Sequence, residues 1–309
     1  MKPIAAISAL ALLASCGSGS NVWESVKDEL QRRGAQGDIS GLKWPKRTPS
    51  PVSLAPAKPR VIFTVMLDDA DYHDFGYYST DAVTPNIDAV ASQGVVLSRY
   101  YAAAAICSPT RASVITGNEP AHFGLNRLWP DIPRKAKGDY FQGKRGIAPT
   151  EETLPEALKA QGYRSLHIGK WHIGRSAERH LPQAKGFDAY EIMEGKQISG
   201  TMHVSAQDGE KKVQGKWRPA YQADRIMSFI DQNLGNGQNV YINWWPIEPH
   251  AVPIDKELFY IPPTFDRADF EADAGKKIKK IDLDTPRGKL LAELHAFDHE
   301  FGRVVEHLR

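Results

Sequence analysis

The sequence predicts an α/β fold with a largely parallel central sheet, and three observations predict it. Short apolar runs rich in β-branched residues alternate along the chain with segments of helical period. The runs show little polar alternation, as strands covered on both faces do. The polar residues with chemistry to offer follow the ends of those runs, where open α/β sheets bind ligands.

Taken in order, Val61 to Leu67 is a continuous apolar run and reads as the first strand. Thr84-Pro85 offers a helix cap and a first-turn proline; Ile87, Val90 and Ala91 follow at helical spacing, and Gly94 supplies a stop. Val95 to Tyr101 reads as a second strand. A helix is expected to start at Ser108-Pro109, since proline is tolerated in a first turn. Thr153 to Gln161 reads as a helix closed by Gly162, and Ser165 to Ile168 as a strand. Ala220 to Leu234 places Ile226, Phe229 and Ile230 on one helical face, with Gly235 after it. Val240 to Trp245 is a further strand. Leu290, Leu291, Leu294, Phe297, Phe301, Val304, Val305 and Leu308 form one stripe on a long final helix.

The composition is that of a globular protein: 309 residues, 41% hydrophobic and 25% charged. A formal net charge of +2, from 39 basic and 37 acidic side chains, argues against a nucleic-acid binder. The single basic cluster, Lys276-Lys277-Ile278-Lys279-Lys280, reads as a solvated face.

The first 16 residues read as an export signal. Lys2 precedes an apolar stretch, Pro3 to Leu13, that is too short to span a bilayer. It ends in Leu13-Ala14-Ser15-Cys16, which resembles a bacterial lipobox; Cys16 would then be lipidated and anchor the mature chain to a membrane. The alternative is an ordinary signal peptide with an incidental cysteine. Gly17 rather than Asp after the cysteine would direct a Gram-negative lipoprotein to the outer membrane. Residues 17 to 59 read as tether and lead-in: Gly17-Ser18-Gly19-Ser20 is flexible, Trp23 to Arg33 suits a short helix, and Pro45, Pro51, Pro56 and Pro59 keep the approach extended. The domain proper begins at residue 60.

Within it, Asp68-Asp69 follows the first strand, and adjacent carboxylates suit a hard divalent cation. Gly169-Lys170-Trp171-His172 follows the Ser165 strand, and Pro249-His250 follows the Val240 strand. Cys107 is expected at a helix N-terminus, where the helix dipole favours an anion. Arg111, Lys170, His172 and His250 suit an oxyanion such as sulfate or phosphate. Singly, each has an ordinary structural explanation; together at strand ends they mark a site.

These residues resemble a known family. Cys107-Ser108-Pro109-Thr110-Arg111-Ala112-Ser113-Val114-Ile115-Thr116-Gly117 is similar to the sulfatase signature, Cys-x-Pro-x-Arg with a later Thr-Gly. Thr84-Pro85-Asn86-Ile87-Asp88, Gly169-Lys170-Trp171-His172-Ile173-Gly174, Gly186-Phe187-Asp188 and Pro249-His250 resemble its other motifs. The resemblance implies an alkaline-phosphatase-like fold and hydrolysis of sulfate esters. It implies that a separate maturing enzyme oxidises Cys107 to formylglycine, whose hydrate offers one hydroxyl for attack and a second to release sulfate. It implies that Asp68 and Asp69, with the group at Cys107, hold calcium. Arg111 would orient the formylglycine, Lys170 would bind a sulfate oxygen, His172 would act as base, and His250 would contact the sulfate or leaving group.

Two departures stand out. Asp71 occupies a position where the family shows glycine, with His73 unusual nearby; a missing glycine can strain a backbone that wants positive φ, although aspartate tolerates that better than most residues. The family's later Asp-Asn pair, which completes the calcium site, does not follow the final helix. The expectation is therefore a chain incomplete on its C-terminal side, with weakened calcium affinity and an exposed sheet edge. Asp298 reads as a helix residue rather than a replacement ligand. A phosphonate or phosphate ester hydrolase of the same superfamily, or a catalytically incomplete membrane-anchored relic, are the alternative readings. Trp129, Trp217, Trp244 and Trp245 could line a sugar or aryl pocket, with core packing the plainer role.

Overall fold

The computed structural model describes residues 60–123, 125, 147, 150–174, 181–193, 201–250, 261–275 and 281–309. Cys16 and the leader, the tether with its expected helix, Trp129 and the Lys276–Lys280 cluster lie outside them.

Among the described residues, six strands form one sheet: β1 Val61–Val65, β2 Tyr163–Gly169, β3 Ala189–Ile192, β4 Thr201–Ala206, β5 Gly209–Gln214 and β6 Asn239–Trp245, in the order β1-β6-β2-β3-β4-β5. The pairs β1–β6, β6–β2 and β2–β3 are parallel, whereas β3–β4 and β4–β5 are antiparallel. The predicted parallel sheet is thus present, extended on one side by a hairpin. That hairpin was legible in principle: Met202, Val204 and Ala206 are buried at every second position, the period of a strand packed on one face.

Among the described residues, six α-helices flank the sheet: α1 Pro85–Gln93, α2 Cys107–Thr116, α3 Leu154–Lys159, α4 Arg218–Leu234, α5 Arg267–Ala274 and α6 Pro286–His307. β6 shows how the layers share the sheet. Val240, Ile242 and Trp244 face a core completed by Ala223, Ile226 and Ile230 of α4 and Phe297, Phe301 and Val304 of α6. Tyr241 and Trp245, on the alternate positions, face a second core with Ala112 and Ile115 of α2. A third cluster packs Phe270 and Ala274 of α5 on Leu291 and Ala292 of α6. No described helix is long and apolar enough to cross a membrane.

One predicted strand is absent. Val95 to Tyr101 is an exposed loop, with Val95 84% and Tyr101 81% accessible. Its β-branched and aromatic residues report a fit to a pleated, half-covered surface rather than a backbone preference of their own, and no described strand pairs with them.

The loop after β1 is fastened from two sides. The Thr84 hydroxyl does not cap α1; it donates to Asp88 Oδ1 and accepts from the Gly76 amide, both at 2.9 Å. A Cβ on Gly76 would lie 2.3 Å from Asp88 Oδ2, so a glycine is needed where this loop crosses α1. The exposed first amides of α1 are capped from a distance instead: Asn86 N and Ile87 N donate to the Asp298 carboxylate of α6 at 2.9 and 2.8 Å. Asp298 is therefore a helix cap. On the other side, Arg287 of α6 grips Asp81 with two hydrogen bonds and also pairs with Asp74.

Candidate functional site

The site gathers at the carboxyl ends of β1, β2 and β6. Asp68 lies three residues past β1, Lys170 directly follows β2, and His250 lies five residues past β6. The order of the strands makes these three ends neighbours. Cys107 arrives differently. It is the first residue of α2, which begins one residue earlier than expected and follows a loop rather than a strand. The Thr110 hydroxyl ties that loop down by donating to the Ala104 carbonyl at 2.8 Å. Four residues separate Cys107 from Arg111, so both project from one face of α2.

Arg111 is the hinge of the arrangement. Its Nη2 donates to Asp68 Oδ1 at 3.0 Å and its Nη1 to the Lys170 carbonyl at 2.8 Å, while its guanidinium lies 5.0 Å from the centre of the Trp245 ring. Its buried Nε has no hydrogen-bond partner among the described residues. Lys170 Nζ pairs with the other oxygen of Asp68 and lies 3.4 Å from Cys107 Sγ. His250 Nδ1 is bonded to the Asp69 carboxylate and lies 3.6 Å from Asp68 Oδ2.

The ionisation of the cluster follows from this geometry. Burial would raise the Asp68 carboxyl, but Arg111 and Lys170 outweigh it and hold its pKa at about 2. Burial, and then the negative charge of Asp68, push the Cys107 thiol above its ordinary range. An unmodified Cys107 is therefore held as a thiol rather than as a reactive thiolate.

Two residues carry stored strain. Asp69 (φ 62) and His172 (φ 56) are the non-glycine residues with positive φ among those described, and both belong to the predicted site. Asp71, by contrast, is unstrained: its φ is −94, and its side chain caps the short turn Tyr72–Asp74 by accepting from the His73 amide at 2.9 Å. The replaced glycine therefore leaves no strain, because the turn asks for a cap at that position and aspartate provides one.

The structure thus brings Asp68, Asp69, Cys107, Arg111, Lys170 and His250 together, and places His172 two residues beyond Lys170 in the same loop. Asp68, Asp69 and His250 each offer a ligand atom within 4.8 Å of one another. Supporting residues that carry no motif complete the floor. His167 is fully buried and bonds Asn243 at 2.9 Å, and its ring packs edge-on against Trp171 and Trp245. Burial and then the nearby Arg111 charge hold His167 well below the usual imidazole range, so it is neutral. Trp244 and Trp245 are core residues, 0% exposed, and Trp217 is buried as well, so none of the three lines an open pocket.

The family model described as Sulfatase matches residues 60–309. The chain belongs to the sulfatase family. N-acetylgalactosamine-6-sulfatase of Sus scrofa is 36% identical over 140 residues, covering 45% of this chain and 26% of that protein. Steryl-sulfatase of Mus musculus is 34% identical over 151 residues, covering 46% and 23%. Among solved structures, Ps i-CgsB has a TM-score of 0.62 at 22% identity, covering 81% of this chain and 55% of that one. A protein solved with its substrate D-glucosamine-2-N,6-O-disulfate has a TM-score of 0.56 at 17% identity, covering 81% and 62%. The matches span about a quarter of the curated relatives and a little over half of the first solved structure. These structural likenesses establish the alkaline-phosphatase-like fold of the sulfatase chain.

Proposed function

We propose that this sulfatase chain provides the nucleophile-bearing part of a hydrolase that acts on sulfate esters. One observation carries the reading: Cys107 at the first turn of α2 lies beside Lys170 Nζ, in the same ion-paired cluster as Asp68 and Arg111. Converted to formylglycine and hydrated, residue 107 would supply a geminal diol, one hydroxyl to attack sulfur and one to let sulfate go. Arg111 fits such a group, since its buried Nε has a donor to spare. Lys170 would bind an oxygen of the transferring group, His250 would contact the sulfate or leaving group, and His172 would serve as base on the diol.

Calcium fits the donor set in type. Asp68 and Asp69 are adjacent hard carboxylates, and the cation would offset sulfate charge beside the group at residue 107. It fits less well in number, because calcium takes about six to eight oxygens and both oxygens of Asp68 already face Arg111 and Lys170.

By the same proposal a maturing enzyme modifies Cys107, the substrate is a sulfated glycan or small molecule, and the mature chain is exported and held at a membrane by lipid on Cys16. Likeness to a protein solved with D-glucosamine-2-N,6-O-disulfate supports the substrate class, and Leu13-Ala14-Ser15-Cys16 supports the anchor. Mass spectrometry of the Cys107 peptide from the native host, with turnover of an aryl sulfate against an aryl phosphonate, tests the chemistry. Formylglycine and faster sulfate release are expected, with Lys170→Ala about 100-fold slower. An unmodified thiol with no sulfate release would refute the reading, and faster phosphonate turnover would reassign the substrate. Labelled palmitate that enters wild type but not Cys16→Ser checks the anchor.

A further inference from the structure

Away from the Cys107 cluster, α5 and α6 bring three ligating side chains to one point. His295 and His299 are four residues apart on α6, so their rings share one helix face, tilted to each other with centroids 4.5 Å apart. Asp273, from the last turn of α5, reaches across. Its Oδ2 lies 3.0 Å from His295 Nε2 and 3.2 Å from His299 Nε2. The three ligand atoms lie within 4.8 Å of one another.

We propose that Asp273, His295 and His299 form a binding site for a divalent transition-metal ion of the zinc type, separate from the calcium-type carboxylates at Asp68 and Asp69. The chemistry of the donors selects the ion. Two imidazole nitrogens and one carboxylate suit zinc, whereas calcium asks for oxygens alone. The spacing fits as well. Metal–ligand bonds of about 2.0–2.1 Å in tetrahedral array leave ligand atoms about 3.3 Å apart, close to the contacts observed.

The surroundings define what kind of site it is. His295 is buried against Phe265 and Phe270, whose rings lie 6.1 and 5.1 Å from it, so one ligand is held firmly by the α5–α6 core. Asp273 and His299 line an open groove of about 1000 Å³ that also carries Asp269, Glu300 and Arg303. A fourth coordination position can therefore face the groove and hold water or a small anion. The sequence marks the pair only as His-x-x-x-His within an apolar stripe, and Asp273 has no motif to announce it.

The test is titration of the chelator-treated full chain with Zn²⁺ alone and, separately, with Ca²⁺, by calorimetry. Wild type is expected to bind one more equivalent of Zn²⁺ than His299→Ala or Asp273→Asn does, or to bind it at least about 100-fold more tightly, since each loses a direct ligand. His250→Ala should retain that equivalent, which separates this site from the one at Asp69. Ca²⁺ should not compete for it. In wild-type protein labelled with ¹⁵N-histidine, Zn²⁺ should move the Nε2 resonances of two histidines, and His250→Ala should leave both shifts in place. Unchanged Zn²⁺ binding in both folded variants, or ¹⁵N shifts confined to His250, would show the cluster to be a hydrogen-bonded clasp between α5 and α6. Because turnover is not among the readouts, failure here leaves the sulfate-ester reading untouched.

Discussion

Asp298 shows how much one side chain can carry. It is 0% exposed, accepts two amides from α1 across more than 200 residues of sequence, and is strongly desolvated. Burial lifts its pKa from 3.8 to about 6, against the pull of the hydrogen bonds from Asn86 and Ile87. A carboxyl whose folded pKa is raised stabilises the fold fully below its unfolded pKa, and that contribution is lost as pH rises through about 6. Between pH 4 and 7 the loss is on the order of 3 kcal/mol. Asp298→Asn should remove this slope, at a constant cost of about 1 kcal/mol for one weakened cap bond. Urea midpoints for both proteins at several pH values check it. Parallel pH profiles would mean that Asp298 titrates normally.

At the level of elements, the ends of the strands do the positioning, and Gly169 is the tightest joint. Its φ is +113, and an added Cβ would lie 2.0 Å from the Trp245 carbonyl oxygen of β6. The same carbonyl accepts from the Lys170 amide at 2.8 Å, so the glycine lets β2 run close to β6 and delivers Lys170 to the site. Gly169→Ala should cost at least about 3 kcal/mol, combining a strained φ with a backbone clash. It should also lower turnover more than a surface mutation of equal destabilisation does. A melting temperature within a degree of wild type would refute this. Gly169 and its neighbours were legible because Gly169-Lys170-Trp171-His172, directly after a strand-like run, is hard to explain as packing. The strand β5 was less legible, because charged residues such as Glu210, Lys211 and Lys212 mask a period-two pattern on a sheet edge. Val95 to Tyr101 misled in the opposite direction: the propensity was present, but no described strand lies beside it.

At the scale of the molecule, the two sheet edges differ. β5 bears Glu210, Lys211 and Lys212, the charges that discourage edge-to-edge pairing. β1 is Val61-Ile62-Phe63-Thr64-Val65, pairs with β6 on one side, and meets no further described strand on the other. The chain expressed by itself should self-associate through β1, seen as a mass that rises with concentration in light scattering. A monomer throughout the micromolar range would contradict it. The motif residues of the site were legible from spacing, because one helical turn joins Cys107 to Arg111. The Asp273–His295–His299 cluster was not, because its third member comes from another helix and adjacency in space leaves no trace in a single sequence.

The pairing of β1 with β6 also sets a timetable. β1 leaves the ribosome before its hydrogen-bonding partner, which begins at Asn239, and α1 before its cap at Asp298. At ordinary rates of synthesis, about ten to forty seconds pass before that partner emerges. During that interval an apolar strand stands without its neighbour, and Asp69 without His250. β1 is thus made long before the strand that secures it, and the site closes only once β6 and His250 have followed.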